Sequence, residues 1–531
     1  MTLEDDLLAV ASRLGFAQPL LSAYATVSGD LHVPDVDDRI REFTLADQTC
    51  RGEILVPLIP GYASWAYRAC IIAHAFRTRG YRPILLVDAG DFDISPAATV
   101  DETYAKSVEL SRFYQRKIPH LFGMETLSVG DALPSSWSLP EGNILDDAGC
   151  YRGLDLERYA ISSTRKYLKR YTLDQSDASV SDTFDAFLRS SIRLADACHH
   201  LVETRDVEAV IVNEPAYVQG GIPADTAHEH DVPGYSQMLG YRDESILFGR
   251  VENRSTQPQF TDREVVGSAL STPLGAEERD EIDRIMEGRK TGDTSAIQYS
   301  SGTNRSVDVS DDKLLVGMFT NLLWDASLIP DEAPYPNVYD WVDDTIEGFR
   351  ELDGAHLVVK LHPAEAKFGT EESLGEWLEN TYERLPPNVT VLPPSTDVDT
   401  YELVDQLDVG IVYTSTVGLE MAYEGLPVVV GGDTHYRGCG FTTDPVDPEE
   451  YRATLRNLDA LEASPETVQR ARRYAHLLFV RKHVAFPYFT TEGAQSYQLR
   501  PVDHDELTPG NDLWDHIVES ILNREPILST Q

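Results

Sequence analysis

Cysteine is scarce: five in 531 residues, at Cys50, Cys70, Cys150, Cys198 and Cys439, an odd and scattered set without paired short spacings. That excludes a disulfide framework or a cysteine-based zinc site, and predicts reduced, buried, inert thiols. Basic residues are few as well, 45 against 88 acidic ones, for a formal net charge of −43. No basic stripe interrupts the acidic background, so nucleic acid is not an expected partner. Long apolar runs are also missing: 54–59 and 314–319 stop far short of the roughly 20 residues that a membrane-spanning helix needs. No integral membrane segment is expected. The opening residues, 1–16, read as an acidic amphipathic helix, with neither the basic start nor the apolar stretch of a secretory leader, which predicts a cytoplasmic protein. The turn Pro60-Gly61-Tyr62-Ala63-Ser64 lacks the three-glycine dinucleotide fingerprint, so no nicotinamide or other cofactor is expected.

What is present is enough apolar material for two cores. The hydrophobic fraction is 42%, and a chain of this length exceeds what one core organises. The acidic residues are spread along the chain and arginine is preferred to lysine. This pattern resembles adaptation to a high-salt cytosol, where screening to about 3 Å at 1 M salt lets so much like charge coexist in one fold. The charge then reports a halophilic habitat rather than a function.

Apolar periodicity alternates between strand and helix in both halves, which predicts two Rossmann-like, doubly wound α/β domains. The expected divisions are 1–255 as an acceptor domain, 256–312 as a linker holding one short helix, and 313–464 as a nucleotide-sugar domain. A helical segment, 465–531, is expected to return toward the first domain.

Ligands of open parallel sheets bind beyond the carboxyl ends of the strands, and three strand ends in the second half carry ligand-type residues. Tyr413-Thr414-Ser415-Thr416-Val417-Gly418-Leu419-Glu420 is a strand, a hydroxyl-rich turn and a helix start, where free N–H groups and the positive helix end suit a phosphate. Helix capping alone would also account for the hydroxyls. His362-Pro363-Ala364-Glu365 ends another strand, with the proline holding His362 extended at its tip. Gly431-Gly432-Asp433-Thr434-His435-Tyr436-Arg437-Gly438 follows a third, and places His435, Tyr436 and Arg437 within reach of a substrate charge. In the first half, a general base is wanted at a strand end facing the second domain. Glu214 after 209–213 fits, with Asp88 after 84–87 as the alternative; Gly61 and Tyr62 are placed to contact an acceptor. Asp91-Phe92-Asp93 matches an acid-x-acid metal motif, but such matches are cheap in so acidic a chain, and no essential metal is expected.

Thr320-Asn321-Leu322-Leu323-Trp324-Asp325, His362-Pro363-Ala364-Glu365, the 415–420 turn and 432–444 together resemble the capsule polysaccharide biosynthesis family, as do Tyr151-Arg152-Gly153 and Tyr217-Val218-Gln219-Gly220. The resemblance spans most of 151–444 and is most specific over 415–444. It implies a GT-B-like fold facing across a cleft and transfer of hexosyl or Kdo-type sugars from a nucleotide-sugar donor to a glycan or lipid-linked acceptor, peripheral to a polysaccharide assembly machinery. It further implies a donor phosphate near His362, Glu365, Thr414, Ser415, Thr416 and Gly418, ribose hydroxyls at Glu420 and substrate at Asn321. Asn213-Glu214-Pro215 departs from the family pattern, so no base is carried over. Polyol-phosphate transfer of the CDP-glycerol type, sugar-nucleotide epimerisation and non-catalytic sugar-nucleotide binding stay open as alternatives.

Overall fold

The computed structural model describes Ala17 and residues 33–46, 49–100, 104–142, 144–251, 257–291, 313–324, 333–335, 337–396, 398–491 and 497–529; the expected amino-terminal helix lies outside these.

The first domain is built on β1 (Glu53–Pro57), α1 (Ala63–Thr78), β2 (Arg82–Val87), α2 (Tyr104–Leu121), β3 (Thr126–Ser128), α3 (Leu156–Leu168), α4 (Ala178–Thr204), β4 (Val207–Asn213), α5 (Val218–Glu229), β5 (Gly234–Leu239) and β6 (Ser245–Arg250). The sheet runs β6-β5-β4-β1-β2-β3, with the short strand Val484–Ala485 added outside β6. Strands β1 to β5 are parallel; β6 is antiparallel to β5, and the added strand is antiparallel to β6. All five residues of β1 are buried, as a strand covered by helices on both faces requires. Winding reverses between β1 and β4, and that is where such a sheet opens a crevice at its carboxyl edge.

The stretch read as a linker with one short helix instead holds two, Arg263–Ser271 and α6 (Ala276–Thr291). Helix α6 buries only Ile282, Ile285, Met286 and Gly288. With charge around most of its circumference it shows little apolar periodicity, and only docking against the second domain reveals its inner stripe.

The second domain comprises β7 (Leu314–Phe319), α7 (Val338–Phe349), β8 (Ala355–Lys360), α8 (Ala364–Phe368), β9 (Val389–Leu392), β10 (Val409–Val412), α9 (Val417–Glu424) and β11 (Val428–Val430). Its sheet runs β9-β8-β7-β10-β11 and is parallel throughout. A short helix, Thr400–Val404, precedes β10 and starts where the Asp399 side chain accepts the Tyr401 N–H. The fold is thus α/β, with two Rossmann-like sheets. Among the described residues no helix is long and apolar enough to cross a membrane.

After α10 (Pro465–His476) and a π-helical turn at Leu477–Arg481, the chain crosses back to the first domain. There α11 (Asp512–Leu522) buries Trp514, Ile517, Val518 and Ile521 in the same core as Ile54, Ile71 and Phe76. Arg79, at the end of α1, bonds Asp515 at 2.6 Å. The first domain is therefore closed by the last helix of the chain. Trp514→Ala should lower its stability by about 3–5 kcal/mol, the usual cost of emptying a buried indole site. Urea unfolding followed by a probe in the first domain would check this, and an unchanged midpoint would show that α11 is dispensable.

Candidate active site at the strand ends

Register places the second-domain residues. Phe319 on β7 lies level with Lys360 on β8 and with Val412 on β10, and Val412 lies level with Val430 on β11. Two residues further along each strand come His362, Asn321, Thr414 and Gly432. They form one row across four adjacent strand ends, neighbours standing about 5 Å apart. Hydrogen bonds tie the row together: the His362 N–H donates to Thr320 Oγ1 at 3.1 Å, and the Thr414 N–H donates to Asn321 Oδ1 at 3.2 Å. Asn321 is therefore spent on holding the β10 turn, and orients it.

The His362 ring has its protonation pattern set locally. Its Nδ1 accepts the Ala364 N–H at 3.2 Å, so the proton of the neutral ring sits on Nε2. Burial, with the nearby Lys360 charge, lowers its pKa to about 4. At neutral pH this histidine is an uncharged hydrogen-bond donor. Glu365, in the first turn of α8, is 3% exposed, and neither carboxyl oxygen has a hydrogen-bond partner of good geometry. Burial pushes it up to about 7, opposed only by the Leu374 amide.

The hydroxyl turn is braced from behind. The Tyr436 hydroxyl, fully buried, donates to the Ser415 carbonyl at 2.7 Å. A Cβ on Gly418 would stand 2.1 Å from that hydroxyl and 2.9 Å from Val412 Cγ2, so the first turn of α9 tolerates no side chain there. Ser415 Oγ accepts the Val417 N–H at 3.3 Å. Thr416 is the residue at the head of α9, makes no side-chain cap there, and sits against Tyr241 from the loop after β5. Arg437 bonds the carbonyls of Val430, Gly432, Asp444 and Pro445, a staple for its own loop. His435 Nδ1 meets the Tyr474 hydroxyl at 3.0 Å, on α10. Glu420 receives two bonds on Oε1 from Arg289, at 2.6 and 3.1 Å; the pair is nearly buried and joins α6 to α9.

In the first domain, Pro57 lies level with Leu86, and the β1–β4 register puts Val212 beside it. Asp88 and Glu214, two residues further on, occupy the same row and straddle Ile59, about 10 Å apart by strand spacing. Asp88 is 4% exposed and its Oδ1 accepts the Phe92 N–H at 2.8 Å; burial raises its pKa, with that N–H pulling the other way. Glu214 adopts φ 40°, in the left-handed region, and its Oε2 meets Lys166 Nζ at 2.7 Å. Lys166 lies 4.1 Å from the Tyr217 ring centroid. Its neighbour Arg165 stacks 4.0 Å over Tyr171, which is buried in the core of the second domain. The end of α3 thus reaches from Glu214 to the second domain. Lys166, Arg289 and Tyr241 were not legible in the sequence, because each acts through a partner more than 40 residues away.

Gly61 donates its N–H to Ser111 Oγ at 2.8 Å and packs so tightly on α2 that a Cβ would meet Gln115 Cγ at 2.4 Å. Tyr62 is 38% exposed, edge-on to Trp65. The acid-x-acid segment is engaged by protein: Asp91 Oδ2 accepts the Gly130 N–H at 2.6 Å, and Asp93 pairs with Arg189 and Arg193. A cavity of about 540 Å³ opens beside Asp88, between Val87, Ala89, Thr126, Ser128 and the α2 residues Arg112 and Arg116.

Residues 310–468 match the family model described as capsule polysaccharide biosynthesis protein. No curated protein matches the chain. Among solved structures it is similar to Thermosulfurimonas dismutans KpsC, beta Kdo 2,4 transferase, at 14% identity and TM-score 0.35, over 60% of this chain and 88% of that one. The beta Kdo 2,7 transferase of the same KpsC gives 17% identity and TM-score 0.30, over 50% and 75%. Spinosyn rhamnosyltransferase SpnG gives 13% and 0.26, over 80% and 95%. Similarities this low carry no argument about substrate.

Two outcomes test the geometry of this domain. Gly418→Ala should cost about 1–3 kcal/mol by overpacking, and adding Tyr436→Phe should recover part of the loss; equal melting temperatures for Gly418→Ala and the parent would contradict the contact. Glu365 holds a proton in the folded state between its ordinary 4.5 and about 7, where the unfolded chain has released it. Stability therefore falls as pH rises through that window and is lowest above it. Glu365→Gln should leave the melting temperature unchanged near pH 4.5 and raise it at pH 8, by up to about 3 kcal/mol of stability. A melting series across pH reads this directly.

Proposed function

We propose that the chain is a glycosyltransferase that moves a sugar from a nucleotide-sugar donor to a glycan or lipid-linked acceptor in surface polysaccharide assembly, acting in the cytoplasm. The observation that carries the reading is the row His362, Asn321, Thr414 and Gly432, with the amino end of α9 behind it, in the domain that matches the capsule polysaccharide biosynthesis model.

The chemistry follows from the charges. As the bond between the sugar carbon and the phosphate oxygen breaks, negative charge collects on the leaving phosphate. Backbone N–H groups and the helix dipole at the head of α9 stabilise that charge without reorganising. His362 adds a hydrogen bond from Nε2 and no charge of its own. The acceptor hydroxyl forms the new bond to the sugar carbon and gives up its proton. Glu214 suits that proton: it is partly exposed, stands at the switch-point edge of the first sheet and is oriented by Lys166. Asp88 is buried and its Oδ1 already accepts the Phe92 N–H, which leaves it less open to an acceptor hydroxyl.

His362→Ala should weaken binding of the donor nucleotide in calorimetry while leaving the melting temperature nearly unchanged. Glu214→Gln should lower kcat by about 10²–10⁴-fold, the usual contribution of a general base, with donor affinity kept. Donors are found first by thermal shift against CMP, UDP, GDP and their sugars in high-salt buffer, since a ligand of the folded state raises its stability. Unaltered nucleotide affinity in His362→Ala would remove the phosphate role, and full turnover in Glu214→Gln would remove the base.

A further inference from the structure

A second cluster lies at the opposite edge of the first domain. Helices α4 and α5 end at the amino-terminal edge of the sheet, where they feed β4 and β5, away from Asp88 and Glu214. Their last turns bring together His199 and Glu203, four residues apart on α4, and His230, the carboxyl cap of α5. One ligand atom from each of the three lies within 4.8 Å of the others. His199 Nδ1 and His230 Nε2 are 2.6 Å apart, their rings nearly edge-to-face.

We propose that His199, Glu203 and His230 bind a divalent transition-metal ion of the zinc class, which pins the carboxyl ends of α4 and α5 together.

Three features support the site. His199 is 5% exposed, and its Nδ1 faces His230 Nε2, so the two ring nitrogens that would ligate already meet. The negative ends of two helix dipoles converge there and favour a cation. Arg152 holds Asp196 at 2.9 Å but reaches Glu203 only at 4.0 Å, so the Glu203 carboxylate has room to turn inward.

Two imidazoles and one carboxylate are a zinc-type donor set, with a fourth position left for water. Tetrahedral bonds of about 2.0–2.1 Å set ligand nitrogens roughly 3.3 Å apart. His230, only partly buried, can retreat by the difference. The position, at the edge of the sheet remote from the candidate acids, makes the ion a structural clip and leaves the transfer chemistry independent of it.

The test uses the full chain, stripped with EDTA and titrated with zinc chloride alone in calorimetry, then with Co²⁺ followed by visible absorbance. One ion per chain is expected, with a melting temperature that rises with zinc. His230→Gln should weaken zinc binding by more than about 100-fold, beyond what loss of an outer-shell partner costs, and should abolish the tetrahedral cobalt bands. Glu203 is half exposed, so Glu203→Gln is expected to fold normally and to weaken binding by a smaller factor. The double variant His200→Gln/His228→Gln, which removes the neighbouring histidines, should keep both affinity and spectrum. Zinc affinity in His230→Gln and Glu203→Gln equal to that of the parent would overturn the site, as would its loss in the His200→Gln/His228→Gln protein.

Discussion

Parallel register is the constraint on which the candidate site depends. Because β8, β7, β10 and β11 run in one direction with Lys360, Phe319, Val412 and Val430 at matching levels, their chains leave the sheet together and turn at the same height. A shift of one residue in any of these strands would send its side chains to the opposite face and break the row of His362, Asn321, Thr414 and Gly432. Register is held by the fully buried residues beneath: Val316, Met318, Val358, Val359, Ile411, Val412 and Val429 are all inaccessible to solvent.

The strand ends are then stiffened from three sides. Tyr436 supports the Ser415 carbonyl, Asn321 holds the Thr414 amide, and Arg289 grips Glu420 from the helix that joins the domains. The Arg289 guanidinium also lies 4.5 Å over Phe479, so linker, α9 and the returning carboxyl segment meet at one buried ion pair. Such a pair contributes less to stability than to fixing one arrangement, since desolvation offsets much of its attraction. On the other side of the cleft, the loop after α3 makes a polar seam: Tyr171 and Thr172 donate their N–H groups to Glu372, and Lys169 donates to the Phe368 carbonyl. The two domains are thereby joined beside the strand ends that carry the candidate chemistry.

Much of the second domain was legible because its strands are short apolar runs ending in glycine, proline, histidine or hydroxyl residues, and those signals are local. The His362 and Ser415 strand ends could be placed for that reason. Local signals misled where a side chain serves the fold: Arg437 bonds four carbonyls of its own loop, and Gly61 is small because α2 lies against it. Helix α6 was invisible because charge surrounds it, and Lys166 because a lysine on a helix carries no mark of the glutamate it meets 48 positions later.

The sequence by itself determined the class: two α/β domains, few cysteines, strong negative charge, and ligand-type residues at successive strand ends of the second half, all of which follow from composition and short-range periodicity. Only the tertiary structure decided which of those residues face one another. The elevated acid of Glu365, the pairing of Glu214 with Lys166 and the meeting of His199 with His230 each arise between groups that the chain brings together from different elements. Burial and hydrogen bonding act through distance in space, and a sequence specifies that distance only once the whole fold is formed.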